Sequence, residues 1–143
     1  MKSEIIVFNV EAVWRRPKAK NGEPYHWGLA KGLRIDDGWS LKHIIYRWVR
    51  SSDNKIAVVG ESERTLSQRV SNYTTAKEDG KAGITNKRVF RENQRLNSEG
   101  SFLYLEYLTE LAGFNFQNKH DRRAAEGLLT ASYKPYIINE EIA

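Results

Sequence analysis

Apolar positions along this chain fall into short runs separated by polar, turn-forming stretches. EIIVFNVEAVWRR (4–16) is rich in β-branched and aromatic residues and reads as a strand. PKAKNGEPYHWG (17–28) interrupts it with two prolines, an Asn-Gly pair and two lysines, which predicts a loop. GLRIDDGWS (32–40) carries an Asp-Asp-Gly turn. LKHIIYRWV (41–49) predicts a second strand, RSSDN (50–54) a turn, and KIAVVGE (55–61) a third strand that closes a hairpin on the second. Leu66, Val70 and Tyr73 recur at helical spacing and predict a helix from Glu63 to Glu78. DGKAGITN (79–86) breaks it. NKRVFRENQRL (86–96) predicts a short basic helix that ends at NSEG, and SFLYLEYLT (101–109) alternates as a strand. GFNFQN reads as a loop. Lys119 to Ser132 contains the helix formers RRAAEGLL, KPY stops that helix, and YIIN reads as a short edge strand. The order predicts an α+β fold, with a mixed or antiparallel sheet covered by helices.

The 143 residues suit one domain, 1–143, with a real core. No internal repeat or low-complexity segment is present. The absence of cysteine excludes disulfides, thiolate chemistry and cysteine-bound zinc, and His26, His43 and His120 show no metal-ligand spacing. The N-terminal apolar run is short and interrupted by Asn9 and Glu11, unlike a signal peptide, and no segment reaches the about 18 apolar residues that span a membrane. These features lead to the expectation of a soluble, intracellular, cytoplasmic protein.

Charge sharpens the picture. The net charge is +5, and residues 1–50 hold ten Lys/Arg against five Asp/Glu, whereas residues 101–143 hold four against six. A basic N-terminal two thirds favours a polyanion such as nucleic acid, because cation–phosphate contacts release condensed counterions. Two segments concentrate that charge: the loop with Arg15, Arg16, Lys18 and Lys20, and the helix with Lys87, Arg88 and Arg91. Trp14, Trp27, Trp39 and Trp48 have the surface to stack on bases, although packing is the commoner use of tryptophan.

Four further features carry candidate chemistry. Tyr46 lies within a strand. Arg69 and Tyr73 share a helix face at i, i+4. Glu126 sits in the last helix, and Asn139 follows a Pro-containing segment. Each has a plain structural reading: a packed Tyr, a solvated Arg, a turn-forming Asn, and a Glu126 satisfied by a surface pair with Arg122 four residues earlier.

Together they resemble the GIY-YIG nuclease family. Ile44-Ile45-Tyr46 looks like the first signature tripeptide, and Val58-Val59-Gly60 like the second, with eleven residues (47–57) between them. GESERTLSQRVSNY is similar to the segment that follows, where the family's Arg falls on Arg69 and its His or Tyr on Tyr73. AAEGLLTASYKPYIIN is similar to the family's final helix, giving Glu126 and Asn139. The likeness covers residues 43–139, implies a small central three-stranded sheet, mixed or antiparallel, flanked by helices, and leaves 1–42 as an added N-terminal strand and basic loop. Ile44 stands where the family has Gly, and Val58 where it has Tyr, so Tyr73 is the replacement candidate.

The resemblance implies a Mg²⁺- or Mn²⁺-dependent endonuclease acting on DNA, with RNA as an open alternative and a homodimer where both strands of a palindrome are cut. It implies a catalytic set of Tyr46, Arg69, Tyr73, Glu126 and Asn139. Glu126 would be the metal ligand, since a hard cation keeps most of its waters and takes one carboxylate. Arg69 would hold the phosphate. Tyr46 would accept or relay the water proton, its acidity increased by Arg69 and the metal. Asn139 would orient a neighbour. A restriction-type or mobile-element role suits the size. Two alternatives stand beside it: a GIY-YIG-like nucleic-acid-binding module with weakened or absent catalysis, motivated by Val58, and a basic domain that binds another protein.

Overall fold

IIYRWVR carries apolar side chains on both faces, which suits a strand enclosed between two layers. It forms β1 (Ile44–Arg50), the centre of a three-stranded antiparallel sheet in the order β2-β1-β3. The computed structural model describes residues 1–7, 9–27, 38–77, 80 and 83–137. β2 (Ile56–Ser62) returns from β1 as the expected hairpin, and β3 (Leu103–Leu108) pairs along β1's other side. Helices α1 (Leu66–Thr74) and α2 (Ile84–Ser98) follow β2, and α3 (Lys119–Tyr133) follows β3. The fold is α+β.

Both faces of the sheet carry buried apolar side chains. On one, Tyr46, Trp48 and Val58 pack with Leu66, Val70 and Tyr73 of α1 and Val89 and Leu96 of α2. On the other, Ile45, Val59 and Leu108 meet Phe116 and the α3 residues Ala125 and Leu129. Period-2 alternation therefore sends neighbouring residues of β1 and β2 to different helices. All four tryptophans pack against the protein: Trp48 is fully buried, Trp27 lies 5.0 Å from it, Trp39 donates to the Lys18 carbonyl, and Trp14 donates to the Tyr133 hydroxyl.

Several element limits differ from expectation for local reasons. The first helix begins at Leu66 rather than Glu63, because Thr65 caps it: its hydroxyl accepts from Gln68 N while the Gln68 side chain accepts from Thr65 N. α2 starts two residues before Asn86, directly after Gly83. The strand expected over 4–16 does not form among its described residues. Only Arg15 bridges, to Tyr107 of β3, while Ile5, Ile6 and Val7 are exposed. β propensity without a cross-strand partner makes no strand. The segment 17–27 is the expected loop. Tyr136 and Ile137 of YIIN are helical rather than extended, and residues 138–139 lie outside the described ones. No described helix is long and apolar enough to cross a membrane.

One buried cation ties α3 to the sheet. Arg122 is fully buried; it donates to Glu61 (2.6 Å) on β2, to Glu63 (3.0 Å) and to the Phe116 carbonyl (2.7 Å). Arg122→Ala leaves that carbonyl unsatisfied and opens a cavity. Urea unfolding should show a loss of about 3 kcal/mol, the range for breaking a buried ionic network.

Candidate active site

Tyr46 on β1 stands directly opposite Gly60 on β2. Directly opposed residues project to the same face, and Gly60 projects nothing. The Tyr46 ring occupies the space that a side chain at 60 would take, and a Cβ there would collide with the phenol. The ring thus reaches α1 from the central strand. Its hydroxyl lies 2.8 Å from the Tyr73 hydroxyl and accepts a hydrogen bond from Arg69 Nη2 at 2.8 Å. The i, i+4 spacing on α1 puts both groups over one phenol oxygen. The two rings meet edge to face, and the Arg69 guanidinium carbon lies 5.6 Å from one ring centre and 5.4 Å from the other.

Glu126 arrives from the opposite layer. α3 covers the other face of the sheet, yet its Glu126 reaches the β2 edge and lines one cleft of about 280 Å³ with Tyr46, Arg69, Tyr73, Gly60 and Val58. The surface pair with Arg122 does not form. Arg122 turns inward to Glu61 and Glu63, and among the described residues Glu126 has no hydrogen-bond or ion-pair partner. Burial first, and then the nearby Glu61 carboxylate, raise the Glu126 carboxyl above the ordinary range, against the pull of Arg123 and Arg69.

Arg69 alone does not make Tyr46 acidic. Its burial outweighs the Arg69 charge and both hydrogen bonds, so its pKa lies above the ordinary phenol value. Tyr73, equally enclosed, is raised further, by burial and by Tyr46 itself. At neutral pH both are neutral phenols. Val58, which the resemblance aligns with the second signature Tyr, is a core residue at 2% exposure. The hydroxyl beside Tyr46 comes from Tyr73 on α1.

The basic segments divide. Arg15 bridges Tyr107, Arg16 stacks 4.1 Å from the Tyr104 ring, and Lys18 bridges Pro24, so that loop follows β3, the sheet edge farthest from β2. Lys20 belongs to the same loop. Lys87 follows Thr85 and Asn86, which line the cleft, and Arg88 and Arg91 continue along α2. Asn139 lies outside the described residues. Glu61, Thr85 and Asn86 line the cleft without having been singled out in the sequence. Glu61 directly follows the second tripeptide, which is the one signal that pointed to it.

Among the described residues no three His, Cys, Asp or Glu side chains cluster as metal ligands. A single unpartnered carboxylate facing an open cleft fits a hydrated hard cation, which needs few protein ligands. Its raised pKa has a consequence for stability. Folding disfavours the ionised form, so Glu126 lowers stability increasingly as pH rises from the ordinary carboxylate pKa through the folded value. Glu126→Gln should therefore melt at a higher temperature than wild type at pH 7, with the difference vanishing below pH 4. Millimolar Mn²⁺ should raise the wild-type melting temperature and leave the variant unchanged. A search of protein-family models, curated proteins and solved structures finds no match to this chain.

Proposed function

We propose that the protein is a divalent-metal-dependent endonuclease that hydrolyses phosphodiester bonds in DNA, using a GIY-YIG-like centre built from Tyr46, Arg69, Tyr73 and Glu126. One observation carries this reading: residues from β1, α1 and α3, spread over 80 positions from 46 to 126, line one small cleft. The antiparallel three-stranded sheet flanked by helices agrees with the architecture that the resemblance implies.

Each side chain has a part suited to its chemistry. Arg69 uses Nη2 on Tyr46 and retains further guanidinium protons for nonbridging phosphate oxygens, whose charge grows in the transition state. Glu126 would hold the cation, which supplies Lewis-acid stabilisation to the leaving 3′ oxygen. Water forms the new P–O bond as the P–O3′ bond breaks, and its proton passes towards Tyr46. Tyr46 is neutral at rest, so it first orients the water and serves as a base only in its ionised fraction. Tyr73 shares the Tyr46 proton and takes the position left by Val58. Asn139 is assigned an orienting part by the resemblance alone. A restriction-type or mobile-element role remains the biological setting proposed, with a homodimer required for coordinated cutting of both strands.

Val58 favours the second reading, a nucleic-acid-binding module that does not cut. Supercoiled-plasmid nicking with and without Mg²⁺ separates the two. Metal-dependent nicking that Glu126→Ala abolishes, with DNA binding retained, is the expected result; unchanged nicking by the variant removes the assignment. Arg69→Ala should reduce the rate by about 10²–10³-fold. Because burial holds the Tyr46 phenol above its ordinary pKa, the cleavage rate should climb with pH through the alkaline range. Tyr46→Phe should remove that slope along with most of the activity.

A further inference from the structure

A second cleft of about 440 Å³ adjoins the first, and Arg69 and Glu61 line both. Its other walls come from the β2–α1 turn and the first turn of α3, where Arg64, Lys119 and Arg123 stand around it. We propose that this cleft holds the nucleic-acid backbone phosphate that neighbours the scissile one, so that a strand enters over α3 rather than over the N-terminal basic loop. The inference rests on the proposed nuclease reading and names the part of the substrate which that reading leaves open.

The charge balance supports it. Two carboxylates, Glu61 and Glu63, line the cleft, and both are bound by Arg122 from behind, inside the protein. The cations on the solvent side are left in excess. Arg64 and Lys119 have no side-chain partner among the described residues. Arg123 is more than half exposed and makes only a 3.6 Å contact with Glu61. Lys119 is the first residue of α3, at the positive end of the helix dipole, where a cation costs stability. Four cations, Arg69 included, face a concavity large enough for a phosphate and its sugar. A bound phosphodiester would relieve their mutual repulsion. By contrast, Arg16 of the N-terminal loop is already stacked on Tyr104, and that loop follows the far edge of the sheet.

The test is fluorescence anisotropy of a labelled 20-base-pair DNA duplex on the full chain without divalent metal, so that binding is read apart from cleavage. The triple variant R64Q/K119Q/R123Q should bind at least tenfold more weakly than wild type at 100 mM salt. The slope of log affinity against log salt should fall by about one, for the one phosphate no longer neutralised. The matched variant R15Q/R16Q/K18Q should lose less. All changed residues are at the surface, and thermal melting confirms that both variants fold. A triple variant that binds as wild type does, or a larger loss from the N-terminal set, overturns the proposal. Competition separates a strand phosphate from a free one: inorganic phosphate at 10 mM should displace little duplex, whereas complete displacement would mark the cleft as a mononucleotide or phosphate site and also overturn it. If the triple variant loses affinity while wild type never cuts DNA, the nuclease reading fails and the cleft stands only as a backbone-phosphate site, with no scissile neighbour. If wild type cuts and the triple variant binds normally, the reverse holds.

Discussion

The candidate site depends on one missing side chain. Gly60 leaves the space through which the Tyr46 phenol passes from the central strand to α1, and any Cβ at that point would occupy the position of the ring. With the ring in place, its hydroxyl is enclosed by Arg69 and Tyr73 at 2.8 Å each. The helix is in turn held to the sheet by the Tyr46–Tyr73–Trp48 edge-to-face contacts. The same atoms therefore serve as core packing and as one wall of the cleft. That double use explains why the phenols are hard to ionise: a group that closes the core is withdrawn from water.

The other wall is positioned by a buried charge. Arg122 draws β2 and the segment before α3 together through Glu61, Glu63 and the Phe116 carbonyl, and one turn later Glu126 is presented at the strand edge with no hydrogen-bond or ion-pair partner among the described residues. The arrangement gathers like charge near Glu126 and half-buries it, which opposes ionisation. A cation would reverse that sign, since it favours the charged carboxylate that the empty cleft disfavours. Stability and the proposed chemistry pull against each other at this residue, as is common where a carboxylate has a task beyond packing.

Much of the scaffold was legible in the sequence because its signals are local. The β1–β2 hairpin follows from two apolar runs around a polar turn, and α3 starts at Lys119 as expected because its capping residue Asn118 and its helix formers lie together in the chain. The pairing of Tyr46 with Gly60 follows from the register of that hairpin. Non-local facts were not legible. Arg122 reads from its spacing as a surface partner of Glu126, and only its contacts with the Phe116 carbonyl, Glu61 and Glu63 make it a buried clamp. The burial that raises the Tyr46 phenol against the pull of Arg69 was not legible, because the sequence shows the cation and hides the enclosure. The 4–16 segment has strand composition, yet pairing requires a neighbour, and past Arg15 the described residues provide none.

The most direct measurement is the anomalous diffraction of a crystal soaked in Mn²⁺. A peak bonded to a Glu126 carboxylate oxygen, inside the cleft and facing the Tyr46 hydroxyl, is the expected result. Saturating Mn²⁺ with no peak at Glu126, or a peak only at a site remote from Tyr46 and Arg69, would contradict a metal-dependent centre in this cleft.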